Sequence, residues 1–198
     1  MISLYIQRCE NVWFGVACDE KKVFATAFGS AEEAVRRDLL RNIPFNMPFQ
    51  HSEKLSPFAE RVLETLKKVY RGKDVSEKLP LSTERLSNYF RKVIETASLI
   101  PVGYVSSYGL IAKAAGGSPR AVGRVMAMNP FAPLVPCHRV VSSDFTLGGY
   151  GGGLKVKLAF LEREKRGYAV KREIPVNGKK LQVFPVEFVL KKVNVNSL

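Results

Sequence analysis

The sequence predicts an α+β protein: a small N-terminal antiparallel sheet with helices, then a mostly helical domain carrying a (winged) helix-turn-helix. Three observations carry this reading. β-forming residues alternate through the first thirty positions, helical spacing takes over from Leu81, and residues 108–128 hold two short helical stretches around a Gly-Gly pair. The division that follows is an N-terminal α/β domain over 1–75, a linker over 76–81, and a C-terminal domain over 82–198.

Ile2, Leu4 and Ile6 alternate along a first strand, followed by the β-rich runs 12–18 and 23–28 on either side of the turn-like Asp19-Glu20-Lys21-Lys22. Period-two spacing places alternate side chains on opposite faces, which predicts a hairpin in an antiparallel sheet. Ser30 followed by Glu33 resembles a capping box, and Ala34, Val35 and Leu39 take helical spacing over 31–41 before Pro44 ends the pattern. Ser56-Pro57 then offers an N-cap with proline at the first helical position, and Phe58, Val62, Leu66 and Val69 form a stripe that stops at Gly72. The stretch 72–80 reads as a polar linker.

A longer helix is expected over 83–99, with Leu86, Tyr89, Phe90, Val93 and Ala97 on one side and Pro101-Val102-Gly103 breaking it. Residues 108–128 then fit a helix-turn-helix: a short helix through Ala112, a turn at Gly116-Gly117, and a second helix opened by Ser118-Pro119 with Val122 and Val125 inward. These spacings alone fit an ordinary αα-corner equally well. Near the C-terminus Ile174, Val176, Leu181, Val183, Phe184 and Val186 flank Asn177-Gly178, the residues of a tight turn, so a terminal hairpin is expected.

The formal net charge is +13 over 198 residues. A field of that size attracts polyanions, and because Lys and Arg are spread over most of the chain, nucleic acid is favoured over a basic amphipathic membrane helix. No apolar run approaches a bilayer-spanning length, and the first residues lack the long apolar stretch of a signal peptide. A soluble, intracellular monomer without membrane contact is the expectation, cytoplasmic or, in a eukaryote, nuclear. Cys9, Cys18 and Cys137 are too few for a disulfide framework and leave at least one free thiol.

Pro136-Cys137-His138-Arg139-Val140 sets that thiol beside one of two histidines. A thiol is a nucleophile as its thiolate, and an imidazole within reach favours that form. Adjacent side chains diverge in extended chain, so Cys137 and His138 need a turn or a bridging water to communicate, the water being favoured. On its own such a pair is more often an inert buried cysteine beside a structural histidine than a nucleophile with its base. Cys9, Cys18 and His51 lack the paired spacings of a zinc site and read as strand residues and no metal. The glycine-rich stretch 148–153 is followed by no Gly-Lys-Ser/Thr, so a nucleotide cradle is disfavoured and a mobile loop that closes on a ligand is expected.

The run Pro136-Cys137-His138-Arg139-Val140 resembles the active-site signature of the O6-alkylguanine-DNA alkyltransferases. Arg120-Ala121-Val122-Gly123, Asn129-Pro130, Gly149-Tyr150-Gly151-Gly152 and the stretch from Lys157 to Glu164 fall in that family's order and approximate spacing, so the resemblance covers 90–167. It implies direct-reversal repair of double-stranded DNA. Cys137 would accept the alkyl group from O6 of a flipped guanine, irreversibly, with no cofactor; O4-alkylthymine is a second candidate substrate. It further implies that Cys137 is linked through a water to His138, whose other ring nitrogen is held by Glu164, the carboxylate orienting and charging the imidazole. Asn129 would brace the cysteine's turn and Tyr108 would assist protonation of the leaving guanine.

Arg120 would fill the vacated stack, and Ala121, Gly123, Arg124, Met126, Val140, Tyr150 and Gly151 would meet DNA or the flipped base. Two positions depart from the family pattern. Gly151 stands where a serine often follows the tyrosine, leaving a backbone donor alone near guanine O6, and Arg124 stands where a small residue is usual and adds a candidate phosphate contact. The competing readings are a non-catalytic binder of alkylated DNA, against which Cys137 argues, a helix-turn-helix regulator, and a cysteine hydrolase, for which no triad context is found.

Overall fold

The computed structural model describes residues 1–52, 54–75 and 77–195. The chain forms two compact units. One comprises Met1–Tyr70, Val75–Arg85 and Pro130–Leu134, and the other Arg71–Asp74, Leu86–Asn129 and Val135–Leu198.

In the first unit, β1 (Ile2–Cys9), β2 (Val12–Cys18) and β3 (Val23–Gly29) are followed by α1 (Glu32–Asn42), β4 (Phe49–His51) and α2 (Pro57–Tyr70). The sheet order is β3-β2-β1-β4. β1 and β2 pair antiparallel from Ser3↔Cys18 to Cys9↔Val12, and β2 and β3 continue the meander. Alternation along β2 is used on both faces. Gly15 faces α1 so closely that an added Cβ would meet Val35 at 2.6 Å. Its neighbour Phe14 meets the Tyr70 ring of α2 edge-on at 5.3 Å. Ile2, Leu4, Ala17, Ala25, Val35 and Leu39 belong to one buried cluster.

Several details depart from the sequence reading. β4 joins β1 in parallel, so the sheet is mixed rather than purely antiparallel; three exposed residues give no alternation to read. The expected capping box is not formed, because Ala31 occupies the N-cap of α1 and no side chain caps it. The stretch read as a linker adds to the sheet edge instead: the Val23 amide donates to Pro80 and the Ser82 amide to Val23. Those bonds satisfy groups that β3 would otherwise leave unpaired at its outer edge.

In the second unit α3 (Asn88–Ser98) is shorter than expected, since the Ser87 hydroxyl accepts from the Phe90 amide and fixes the helix start there. β5 (Tyr104–Ser107) runs straight into α4 (Tyr108–Ala115), and α5 (Pro119–Ala127) follows the Gly116-Gly117 turn with Ser118 as its cap. Gly117 has φ +85°, and a Cβ there would lie 2.5 Å from the Tyr89 hydroxyl, so the turn needs glycine for conformation and for space. A 3-10 turn at Cys137–Arg139 leads into β6 (Val140–Val141), then come α6 (Leu154–Arg163), β7 (Arg172–Val176), β8 (Lys179–Pro185) and α7 (Val186–Val195).

The second sheet has the order β6-β5-β8-β7. β6 lies parallel to β5, and the expected terminal hairpin β7–β8 pairs antiparallel, with β8 also antiparallel to β5. Val186, read as the end of the hairpin's alternation, instead opens α7. With Val189 it packs into a cluster with Val105, Val141 and Leu161. β5 leads into Tyr108 and β6 departs from Cys137–Arg139, so two adjacent, parallel strands anchor Tyr108 and the cysteine turn.

Candidate active site

The thiol of Cys137 sits at the start of the 3-10 turn, with 6% of the residue exposed. Asn129 holds the approach to that turn by donating from Nδ2 to the Val135 carbonyl at 3.0 Å. Burial pushes the thiol's pKa above its ordinary value, against hydrogen bonds from Asn129, the charge of Lys157 and a hydrogen bond from Tyr150. The thiol is therefore protonated at neutral pH, and its proton has to be removed when it reacts.

His138 is fully buried, its ring stacked on Phe160 with centroids 4.5 Å apart. Its Nε2 lies 2.9 Å from Oε1 of Glu164. A carboxylate only accepts, so Nε2 carries the hydrogen and Nδ1 presents its lone pair. That Nδ1 is buried and has no hydrogen-bond partner among the described residues.

Arg139 takes the rest of Glu164. Its Nε reaches both carboxylate oxygens, at 3.1 and 2.9 Å, its second terminal nitrogen reaches Oε1 at 2.8 Å, and the other donates to the Ile100 carbonyl at 2.6 Å. Burial would raise Glu164, but His138 and Arg139 outweigh it through hydrogen bonds and charge and hold the carboxyl down at about 2. This geometry corrects one expectation. Glu164 orients His138 but does not charge it: burial lowers the imidazole's pKa, the carboxylate opposes this, and the guanidinium of Arg139 adds to the lowering. At rest the histidine is neutral, which is the form that accepts a proton.

In front of Cys137 opens a cavity of about 650 Å³, within the range of small-ligand sites. Tyr108, Arg120, Gly123, Arg124, Met126, Tyr150 and Gly151, all foreseen, line it with Cys137. Pro119, Ala127 and Gly149 also line it. Ala121 and Val140 do not: Ala121 is half-buried on α5, and Val140 is buried behind the turn. Arg120 and Arg124 are exposed on α5. Tyr108 donates to the Gly149 carbonyl at 3.1 Å, and burial raises its pKa, with Cys137 adding to the shift, so its phenol stays a donor. Cys18 is buried with its thiol pushed up to about 12, and among the described residues no cluster of three or more His, Cys, Asp or Glu is arranged to hold a metal ion.

A family model for the DNA-binding domain of 6-O-methylguanine DNA methyltransferase matches residues 88–166. The crystal structure of O6-methylguanine-DNA methyltransferase from the hyperthermophilic archaeon Pyrococcus kodakaraensis strain KOD1 is 32% identical, with a TM-score of 0.62 over 83% of this chain and 99% of that one. The chain belongs to the O6-methylguanine-DNA methyltransferase family. A methylated-DNA–protein-cysteine methyltransferase of Pyrobaculum aerophilum is 57% identical over 65 residues, 33% of this chain and 44% of the relative. The chain spans less than half the length of the first curated relatives it matches. Mycobacterium tuberculosis OGT, solved in complex with DNA, is 25% identical with a TM-score of 0.65 over 82% of this chain and 92% of that one.

Within this member of the methyltransferase family, two residues of the site went unassigned in the sequence reading, Arg139 and Lys157. Lys157 is fully buried and its ammonium donates to the carbonyls of Val140 and Leu147, each at 2.6 Å, and of Gly149 at 3.1 Å. Burial pulls its pKa down to about 8, with Cys137 opposing. The spacing held a signal for it. Lys157, Phe160, Leu161 and Glu164 fall at i, i+3, i+4 and i+7, the buried stripe of a helix, so two charged residues on that stripe mark a polar site under the apolar face. Replacing Lys157 by Met takes the ammonium away from the Val140 and Leu147 carbonyls and leaves the Gly149 carbonyl with the Tyr108 hydroxyl alone. The variant should lose about 2 kcal/mol of stability, and amide exchange should quicken over residues 147–152. Unchanged exchange there would show that the ammonium does not hold the loop.

Proposed function

We propose that the chain repairs DNA by transferring the alkyl group from O6 of a guanine, flipped out of the duplex, onto Cys137 in a single turnover. The observation that carries this reading is a thiol opening on a cavity lined by the second helix of a helix-turn-helix, with a neutral, oriented imidazole beside it in the chain. The +13 charge and the relative solved with DNA support duplex DNA as the partner. The protein acts as a cytoplasmic monomer, one molecule per lesion.

In this mechanism the flipped base enters the cavity past Tyr108 and Tyr150 while Arg120 occupies the gap left in the stack; extrusion of a base costs a few kcal/mol, which such an insertion offsets. The thiol proton passes through a water to Nδ1 of His138, the nitrogen that Glu164 leaves free to accept. Sulfur attacks the alkyl carbon, the carbon–O6 bond breaks, and its electron pair stays on guanine. Tyr108 donates a proton to the departing base and is reprotonated from the imidazolium, so the thiol's proton ends on guanine. Glu164 and Arg139 fix the imidazole, and Asn129 and Tyr150 hold the sulfur through hydrogen bonds. The thioether has no acyl carbon or phosphorus for water to attack, so the thiol is not regenerated.

Intact-protein and peptide mass after mixing with a duplex holding one O6-methylguanine tests this directly. One methyl on the Cys137 peptide, saturating at one per protein, is expected. Lesion binding with no change of mass would make the chain a recognition protein.

A further inference from the structure

The hairpin β7–β8 lies outside the 88–166 segment that the family model matches, and the transfer mechanism makes no use of it. Its place in the topology is nevertheless specific. β5 stands between α3 and the pair α4–α5, β8 pairs with β5, and β7 pairs with β8 at the sheet edge. Within this four-stranded sheet, the strands β5-β8-β7 beside a helix-turn-helix have the arrangement of a winged helix, with the hairpin turn as the wing. Here 44 residues, 128–171, separate α5 from β7, and they hold the cysteine turn, β6 and α6.

The tip of that hairpin is basic and lies against α4. Lys179 donates from Nζ to the carbonyl of Lys113, in the last turn of α4, at 3.2 Å. Lys113, Lys171, Arg172, Lys179 and Lys180 are exposed, against one acid on the two strands, Glu173. Lys180 and Glu173 form an ion pair at 2.8 Å whose side chains are 73% and 45% exposed, a contact worth little and open to exchange for a stronger anion. The hairpin's root is held firmly by contrast. Arg172 lies over the Tyr104 ring at 4.9 Å and the Tyr168 ring at 5.5 Å, and Ser106 donates to the Gln182 carbonyl at 2.8 Å. A fixed root and a basic tip beside the first helix of the motif, the helix that crosses the DNA backbone in such motifs, make a phosphate contact available at no cost in ordering the strands.

We infer that the tip of the β7–β8 hairpin, through Lys179 and Lys180, binds backbone phosphates of the duplex flanking the lesion. The inference rests on the DNA-repair reading above and adds a second, sequence-independent contact surface to the one on α5. Phosphate contacts release counterions, so each contributes about 0.9 to the slope of log affinity against log salt. Lys179→Gln with Lys180→Gln should reduce the wild-type slope by about 1.8. Between about 50 and 200 mM salt the wild type should then lose roughly tenfold more affinity than the variant. Arg37→Gln with Arg41→Gln, two exposed charges on α1, is the charge-matched control and should leave the slope as it is. If the double lysine variant keeps the wild-type slope, or melts lower with no change of slope, Lys179 only caps α4 and the inference is overturned. If the wild type itself shows no salt-dependent duplex binding, the DNA reading fails and the hairpin contact with it.

Discussion

Cys137→Ala is expected to abolish alkyl transfer while leaving lesion binding nearly intact. The substitution removes the proposed nucleophile but only one small group from the wall of a cavity of about 650 Å³. The cations proposed to meet DNA, Arg120 and Arg124 on α5, stand on exposed positions and do not depend on the thiol. The other two cysteines belong to the first unit. Cys18 is buried in the first sheet with its thiol pushed up to about 12, and Cys9 ends β1. Protein mass and duplex affinity, measured together, decide the matter. Methyl transfer to Cys137→Ala at the wild-type rate would remove Cys137 from the mechanism, and loss of binding along with transfer would mean that the thiol is part of recognition.

Arg124 separates binding from chemistry in the opposite sense. It lines the mouth of the cavity from an exposed position on α5, where the family resemblance leads one to expect a small side chain. Arg124→Ala should weaken binding of damaged and undamaged duplex alike and lower the salt slope by about 0.9. An unchanged slope would show that the guanidinium meets no phosphate.

What could be read in the sequence was whatever local chemistry decides. Gly116-Gly117 with Ser118-Pro119 specified a turn and a helix start, and Asn177-Gly178 specified a hairpin, because few residues adopt those conformations. The parallel addition of β4 and the strand-like path of residues 80–82 were invisible, since both depend on partners far away in sequence rather than on their own pattern. The site shows the same split. Cys137 and His138 came from a motif that is compact in sequence, and Glu164 only from the family resemblance. Arg139 stood inside the motif without a role, and it acquires one from a glutamate 25 residues away that no periodicity connects to it. Lys157 was legible in principle as a charge on a buried helical stripe, but only once that helix had been drawn.

The role of Arg139 sets the second large effect. Glu164→Gln keeps an oxygen for the Nε2 hydrogen of His138 but removes the charge that Arg139 neutralises. A guanidinium on a residue only 8% exposed is then left without its counter-ion, and breaking such a buried pair costs about 3–5 kcal/mol. The transfer rate should fall by about a hundredfold, the scale of a positioned general base. The pH dependence carries a separate signature. Glu164 is held at about 2 in the folded protein against an ordinary 4.5, so between these values the unfolded chain binds more protons and stability falls as pH falls. About 3 kcal/mol should be lost across that window. His138, with its pKa lowered by burial, extends the same trend upward toward pH 6.5. In Glu164→Gln the segment between 4.5 and 2 should flatten, and urea unfolding at a series of pH values reads it. Replacing both partners, Arg139→Met with Glu164→Gln, should restore part of the stability lost by the single change, because no charge is then buried alone. If the rate returned with the stability, Glu164 would matter only for the fold. A variant that is stable again and still slow would assign the carboxylate to the histidine, and through it to the proton of Cys137.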